Sequence, residues 1–280
     1  MTNKTFFKIV FLSIISLFSS TSFAQVAGSV SMATGGTGRG TVDPTDSVLL
    51  NPAIVAQIPT KYFSFNYATD QMGLTISDNG RQALFPAAIA FNRTEVDHLK
   101  TQNMGVAVAY SPKPKFAIGL MASLVEYSFD NNPAIGDQKF RQTVGDLGAT
   151  YAFSKNFAVG AVAYKVFSSK SDVDETLQRQ RTLGFGTNYI YENFVRFRFD
   201  VESAPENKFN RLVYMGGVET FMNDWLVLRL GYQNNNVLSK NFTTAGLGFA
   251  GPQFGLHYAY LTNPADHDDD RHSVDLGIPF

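Results

Sequence analysis

From residue 61 onward, apolar and polar side chains alternate along short stretches that end in turn residues. In "NFVRFRFDVES", Val195, Phe197, Phe199 and Val201 interleave with Arg196, Arg198, Asp200 and Glu202. A β-strand sends successive side chains to opposite faces, so this period makes one face apolar and the other charged. The same parity runs through Phe63, Phe65 and Tyr67; Met72, Leu74 and Ile76; Phe85, Ala87, Ile89 and Phe91; Met104, Val106, Val108 and Tyr110; and Phe116, Ile118, Leu120, Ala122 and Leu124. It returns at Leu183, Phe185, Thr187 and Tyr189; Leu212, Tyr214 and Val218; Leu226, Leu228, Leu230 and Tyr232; Ala245, Leu247 and Phe249; Phe254, Leu256, Tyr258 and Tyr260; and Val274, Leu276, Ile278 and Phe280. The stretches near 140–153 and 156–168 have no single phase.

The connections between these stretches alternate in length. "SPKP" (111–114), "SKN" (154–156), "YEN" (191–193), "MND" (222–224) and "GP" (251–252) are tight, whereas 93–102, 130–138, 169–177, 203–208, 234–240 and 263–270 are longer and polar. Short turns at one end and longer loops at the other characterise outer-membrane barrels, which close with even strand numbers. The pattern predicts an all-β, antiparallel, up-and-down transmembrane barrel of about 14 strands, or about 12 if the first hairpin at 61–77 does not form.

A soluble sandwich would show the same alternation, so the N-terminus matters. Lys4 and Lys8 precede the apolar run Ile9–Phe18, and Ser22 and Ala24 supply small residues for cleavage, so residues 1–24 read as an export signal. No Cys occurs, which excludes disulfides, thiolate metal sites and a lipid anchor at residue 25, which is Gln. Twenty-three basic residues against 24 acidic ones offer no basic field for nucleic acid. A mature chain without a spanning helix enters a membrane only as a barrel. The final strand, "RHSVDLGIPF", resembles the C-terminal strand that the barrel assembly machinery reads through a terminal aromatic, here Phe280.

If the apolar faces meet outer-membrane lipid, the other faces line the interior. They carry Arg196, Arg198, Asp200, Arg211, Glu219, Arg229 and His257, with Gln180, Thr182, Asn188, Gln233 and Asp275. An Arg on the lipid face would cost roughly 2–4 kcal/mol at the midplane. These charges either brace the barrel or guide a ligand. The inner faces of the fourth and fifth strands carry Gly105, Ala107, Ala109, Ala117 and Gly119 instead, leaving room for an inserted segment.

Residues 25–60 are glycine-rich, lack the period of two, and end in a short helix-like piece near 47–56 that Asp46 or Ser47 would cap. Gly35, Gly36 and Gly38, then Asp43 and Asp46, then Asn51, Pro52 and Ala53 resemble the start of the FadL-type outer-membrane transporters of hydrophobic compounds and their PorV-type relatives. "FGLHYAY" followed by the last strand resembles that family's final hairpin. The resemblance implies that residues 25–60 fold into the 61–280 barrel as a hatch. It also implies a lateral opening at Pro86 if "LFPAAIAF" is the family's kinked third strand; with only Leu84 and Phe85 before it, Pro86 also reads as a proline at a strand start. The loops are too short for the extended extracellular capture region of the family's fatty-acid members.

Other motifs lack the context their chemistry needs. "GGTGRG" has no preceding strand and no Gly-Lys-Ser/Thr. Asp266–Asp270, "DHDDD", has neither the spacing nor the glycine of a calcium loop and reads as a solvated loop. His98, His257, His267 and His272 form no metal-binding pair, and Ser273 and His272 must face opposite sides of one strand. The expectation is a non-enzymatic barrel without metal, cofactor or nucleic-acid partner. It would pass small hydrophobic or amphipathic molecules, with a PorV-like scaffold and a simple polar porin as alternatives.

Overall fold

In the computed structural model, residues 28–42, 45, 47–96, 99–132, 136–173, 178–204 and 211–280 are described; the expected export signal, Asp43, Asp46 and His98 lie outside them. Two short helices, α1 (Ser29–Ala33) and α2 (Ser47–Leu50), and a 3-10 helix, η1 (Pro52–Gln57), precede the strands. The strands are β1 (Tyr62–Ala68), β2 (Gln71–Asp78), β3 (Ala87–Val96), β4 (Leu99–Lys113), β5 (Phe116–Asn132), β6 (Gly136–Ala152), β7 (Phe157–Ser168), β8 (Thr182–Tyr191), β9 (Val195–Ser203), β10 (Leu212–Phe221), β11 (Leu226–Asn235), β12 (Lys240–Ala250), β13 (Gly255–Thr262) and β14 (Arg271–Pro279). A second 3-10 turn, η2 (His267–Asp269), lies between β13 and β14.

All fourteen strands pair antiparallel with their chain neighbours, and β1 closes on β14 from Tyr62↔Pro279 to Ala68↔Ser273. The hairpin at 61–77 therefore forms and supplies the closing strand. Closure removes the unpaired edges that an open sheet would carry into lipid. Phe280 continues the seam, its backbone N–H donating to Lys61 O at 3.0 Å.

The outward parity holds wherever the pattern was clear. Ile89, Val106, Leu120, Phe185, Phe199, Leu230 and Leu256 are exposed, while their neighbours Ala90, Ala107, Met121, Asp200, Arg229 and His257 are buried. Exposed apolar side chains around a closed sheet with a polar interior make this a transmembrane barrel. The longer connections are shorter than expected, because strands run on into them. β5 and β6 each reach 17 residues, and β3 and β4 extend to Val96 and from Leu99.

The two stretches of unclear phase have a physical cause. β7 is apolar outward at Phe157, Val159 and Ala161, and also inward at Val162 and Tyr164, because its inner face packs on the N-terminal segment rather than on polar lumen. Its ladder is also irregular: Leu147 pairs with Ala163 and Gly145 with Phe167, so Tyr164, Lys165 and Val166 stand opposite Asp146 alone. Lys165 takes φ 52°, and its N–H turns to Asp146 Oδ1 at 2.7 Å. On β6, Val144 faces inward and is buried with Val125, Tyr127 and Phe129.

Candidate functional site

The N-terminal segment lies against the inner faces of the barrel and touches two unlike walls. On the β3–β5 side, η1 starts at Asn51, whose Oδ1 accepts from the Ala53 N–H at 3.1 Å, while Pro52 takes the first turn, where a missing N–H costs nothing. Val48, Val55 and Ile58 then bury against Ala88, Ala90, Ala107, Ala109 and Met121. The small inward residues allow this approach: a Cβ on Gly119 would lie 2.6 Å from Pro52 O. The Asn51 amide also ties the segment to the wall. Its Nδ2 donates to Arg39 O at 2.8 Å and reaches Ala149 O of β6 at 3.2 Å and Ala161 O of β7 at 3.4 Å.

On the β8–β14 side the contacts are polar and directional. Gly35 adopts φ 73°, and its N–H donates to Thr244 Oγ1 at 3.1 Å; a Cβ there would stand 2.6 Å from Tyr232 O. Gly36, at φ 89°, lies against the Met215 sulfur. These left-handed turns carry the chain to Arg39, which is 2% exposed. Its guanidinium pairs with Asp200 at 3.2 Å and with Glu202, while the Gly38 and Arg39 N–H groups donate to the same Asp200 oxygen at 3.0 and 2.9 Å. A buried carboxylate needs such neutralisation, since an isolated charge cannot stay ionised away from water. Nearer the chain start, the Ser29 N–H donates to Asp275 Oδ2 at 2.7 Å and Ser29 Oγ meets Ser273 Oγ at 2.8 Å.

Tyr164, fully buried, connects the two walls. Its hydroxyl donates to Leu50 O at 2.6 Å, and the guanidinium groups of Arg39 and Arg179 lie 5.9 and 4.6 Å from its ring centre. Arg179, from the connection before β8, also pairs with Asp146 at 2.9 Å.

The expected lining residues divide into groups. Arg196, Arg198 and Arg229 converge on one carboxylate, Glu219, at 2.9, 3.4 and 2.5 Å, and Arg229 Nη1 lies 3.2 Å from His257 Nδ1. Asp200 belongs instead to the Arg39 cluster. Arg211 does not line the lumen: it precedes β10 and is exposed, because the inward row of that strand begins at Val213. Pro86 does not lie within the third strand. It sits just before β3, where its missing N–H breaks no rung; β3 pairs continuously with β2 and β4, and Pro86 O accepts from the Ala109 N–H at 3.0 Å.

Sequence reasoning missed Arg39, Glu202 and Tyr164. Arg39 stands inside "GGTGRG", whose glycines drew a phosphate-loop reading and the FadL-type resemblance while its one cation drew none. A lone cation in a glycine-rich segment, ahead of a barrel with Asp200 and Glu202 on one inner face, was the available signal. Of the remaining motifs, His272 is exposed and Ser273 buried, so the pair faces opposite sides. In "DHDDD", Asp266 caps η2 and Asp269 binds Lys240 at 2.5 Å.

Solved structures share this architecture. The CymD monoaromatic hydrocarbon channel is 15% identical, the likeness covering 92% of this chain and 99% of that one with a TM-score of 0.68. The P. putida toluene transporter TodX is 13% identical over 91% of this chain and 99% of its own, with a TM-score of 0.61. A Pseudomonas aeruginosa FadL homologue is 11% identical over 91% and 98%, with a TM-score of 0.59. No family model matches the sequence, and no curated protein matches it. The fold is the FadL-type barrel of outer-membrane channels.

Proposed function

We propose that this barrel passes small hydrophobic or amphipathic molecules across the bacterial outer membrane, with residues 25–60 as a hatch in its lumen. The observation that carries this reading is the inner face of β5. Ala117, Met121, Val125, Tyr127 and Phe129 are buried apolar side chains in one inward row, with Gly119 and Ser123 between them; Met121 packs with η1, and Val125, Tyr127 and Phe129 form a second cluster toward the end of the barrel where β5 and β6 extend furthest. Such a row favours apolar solutes over ions. On the other wall Arg39 is held by Asp200 and Glu202, and Arg196, Arg198 and Arg229 converge on Glu219, so both clusters act here as bracing rather than as a ligand track. Because β3 is paired on both sides, the exit we propose leads past the hatch toward the end that holds the chain terminus, not through the wall at Pro86.

Similarity to a monoaromatic hydrocarbon channel and a toluene transporter supports molecules of that class as the first to test. Cells expressing the protein should take up radiolabelled toluene several-fold faster than cells lacking the gene. Equal uptake, together with a secreted protein co-purifying with the barrel, would replace the transporter by the PorV-like scaffold. A steady single-channel current from the wild type would favour the polar porin. Assembly is proposed to depend on the strand ending at Phe280, so deleting Phe280 should lower the amount of folded barrel in the outer membrane.

A further inference from the structure

We propose that the connection between β7 and β8 is a displaceable strap that covers the apolar row of β5 and β6 inside the lumen, and that a solute reaches that row only by pushing it aside. The proposal rests on the transport reading above and adds the element that controls entry.

Of the residues described in this connection, 169–173 and 178–181, Val173 is the one apolar side chain, and it is 5% exposed. It packs with Val125, Tyr127, Phe129 and Val144 of β5 and β6, while Lys170 and Asp172 beside it are exposed. Polar connections ordinarily lie in water outside the barrel mouth. This one turns its apolar residue back onto the lumen wall. A single buried valine stabilises little against the entropy of ordering a loop, so polar contacts must hold the strap.

Those contacts gather at the bulge between β6 and β7. Asp146 faces inward and is buried, and its carboxylate is divided: Oδ1 accepts from the Lys165 N–H at 2.7 Å, and Oδ2 pairs with Arg179 of the strap at 2.9 Å. Gln178 Oε1 accepts from Gln142 Nε2 at 2.8 Å and from Lys165 Nζ at 3.0 Å, and Arg181 Nε donates to Lys165 O at 3.2 Å. The strap thus grips Lys165, the residue held at φ 52°. A residue with a side chain keeps that conformation only while its surroundings fix it, and such residues cluster in switching segments.

The closed arrangement is also incompletely bonded. Arg179 Nη2 and Gln142 Oε1 are buried and meet no hydrogen-bond partner among the described residues. Both gain water when the strap lifts, which lowers the cost of opening. Arg179 further stands 4.6 Å from the ring centre of Tyr164, whose hydroxyl donates to Leu50 O, so strap and hatch meet at one side chain.

The chain holds no Cys, so Val144→Cys creates a single thiol beneath the strap. The full-length barrel in lipid nanodiscs is treated with a water-soluble methanethiosulfonate, and the rate of modification is read by mass spectrometry. Adding Arg179→Ala, or Asp146→Asn, which keeps an acceptor for the Lys165 N–H, should raise that rate at least tenfold. Ala259→Cys, equally buried against α1 on the far wall, should react no faster in either background. An unchanged rate at 144 would overturn the proposal, as would an equal rise at 259, which would mark a barrel loosened throughout. The link to transport is tested in cells with Gln142→Cys/Gln178→Cys, joined by a short bis-methanethiosulfonate. Toluene uptake should fall at least fivefold when the strap is tied down and recover on reduction, and uptake unaffected by the tie would remove the strap from the path. Should the untied variant and the wild type both match cells lacking the gene, the transport reading fails, while the thiol rates still decide whether the strap opens.

Discussion

The two walls of the lumen hold one segment by opposite physics. On β3–β5, η1 rests on Ala88, Ala90, Ala107 and Ala109, where attraction is non-directional and scales with the area buried. On β8–β11, Arg39 is fixed by Asp200 and Glu202 in a geometry where each charge depends on another. Burying charge yields little net stability, but removing one partner exposes the full desolvation cost of the other. The apolar wall should therefore tolerate change gradually, and the ionic wall should fail abruptly.

The sharpest way to break this comparison is Arg39→Ala. It leaves Asp200 and Glu202 buried without their cation and should cost about 3–5 kcal/mol, seen as a lower urea midpoint of the barrel folded into vesicles. The triple variant Arg39→Leu/Asp200→Leu/Glu202→Leu should recover most of that loss, because apolar packing can replace a buried ion cluster at little net cost. If Arg39→Ala unfolds at the wild-type midpoint, the ionic wall does not hold the segment.

The next largest effect belongs to the apolar wall. Gly119→Val places new atoms where Pro52 and Ala53 lie, and overpacking of this kind should cost about 1–3 kcal/mol. Displacement of η1 should also open the lumen, so single-channel recordings should show current where the wild type shows little. An unchanged midpoint with an unchanged current would mean that the turn does not press on β5.

How much of this was legible depended on what each strand faces. Where lipid lies on one side and polar groups on the other, as on β9, the alternation of Phe197 and Phe199 with Arg198 and Asp200 specifies both faces. β7 meets lipid outside and the segment inside, so both faces are apolar and the period disappears. The partition of charges into an Arg39 cluster and a Glu219 cluster was not legible either. It depends on which strands stand side by side and on how deeply a segment without periodicity inserts. Arg211 and Pro86 were misplaced for a simpler reason: each lies one residue outside its strand, and element ends are the least determined part of any periodic pattern.

Tyr164→Phe probes the joint between the walls. It removes the hydroxyl that donates to Leu50 O while keeping the ring beside Arg39 and Arg179, and should cost about 1 kcal/mol. Arg39→Ala and Tyr164→Phe should be non-additive when combined, since both act on the same segment. Strict additivity of the two midpoints would separate Leu50 from the ionic wall and leave it to packing alone.

The smallest effect comes from an ion pair that the comparison predicts to be weak because it lies at the rim. Burial of Asp269 favours its protonated form, but the Lys240 ammonium and the Asn263 amide outweigh this and hold the carboxyl below the usual aspartate range. A depressed carboxylate stabilises the fold at pH values above its unfolded pKa, near 3.9. That contribution disappears as the pH falls through the lower folded value. The midpoint difference between wild type and Lys240→Ala should thus be constant from neutral pH down to about 5 and shrink below about 4. At neutral pH it should not exceed about 1 kcal/mol, because water screens both groups. A loss as large as that of Arg39→Ala would show that burial is not what separates the strong contacts of this barrel from the weak ones.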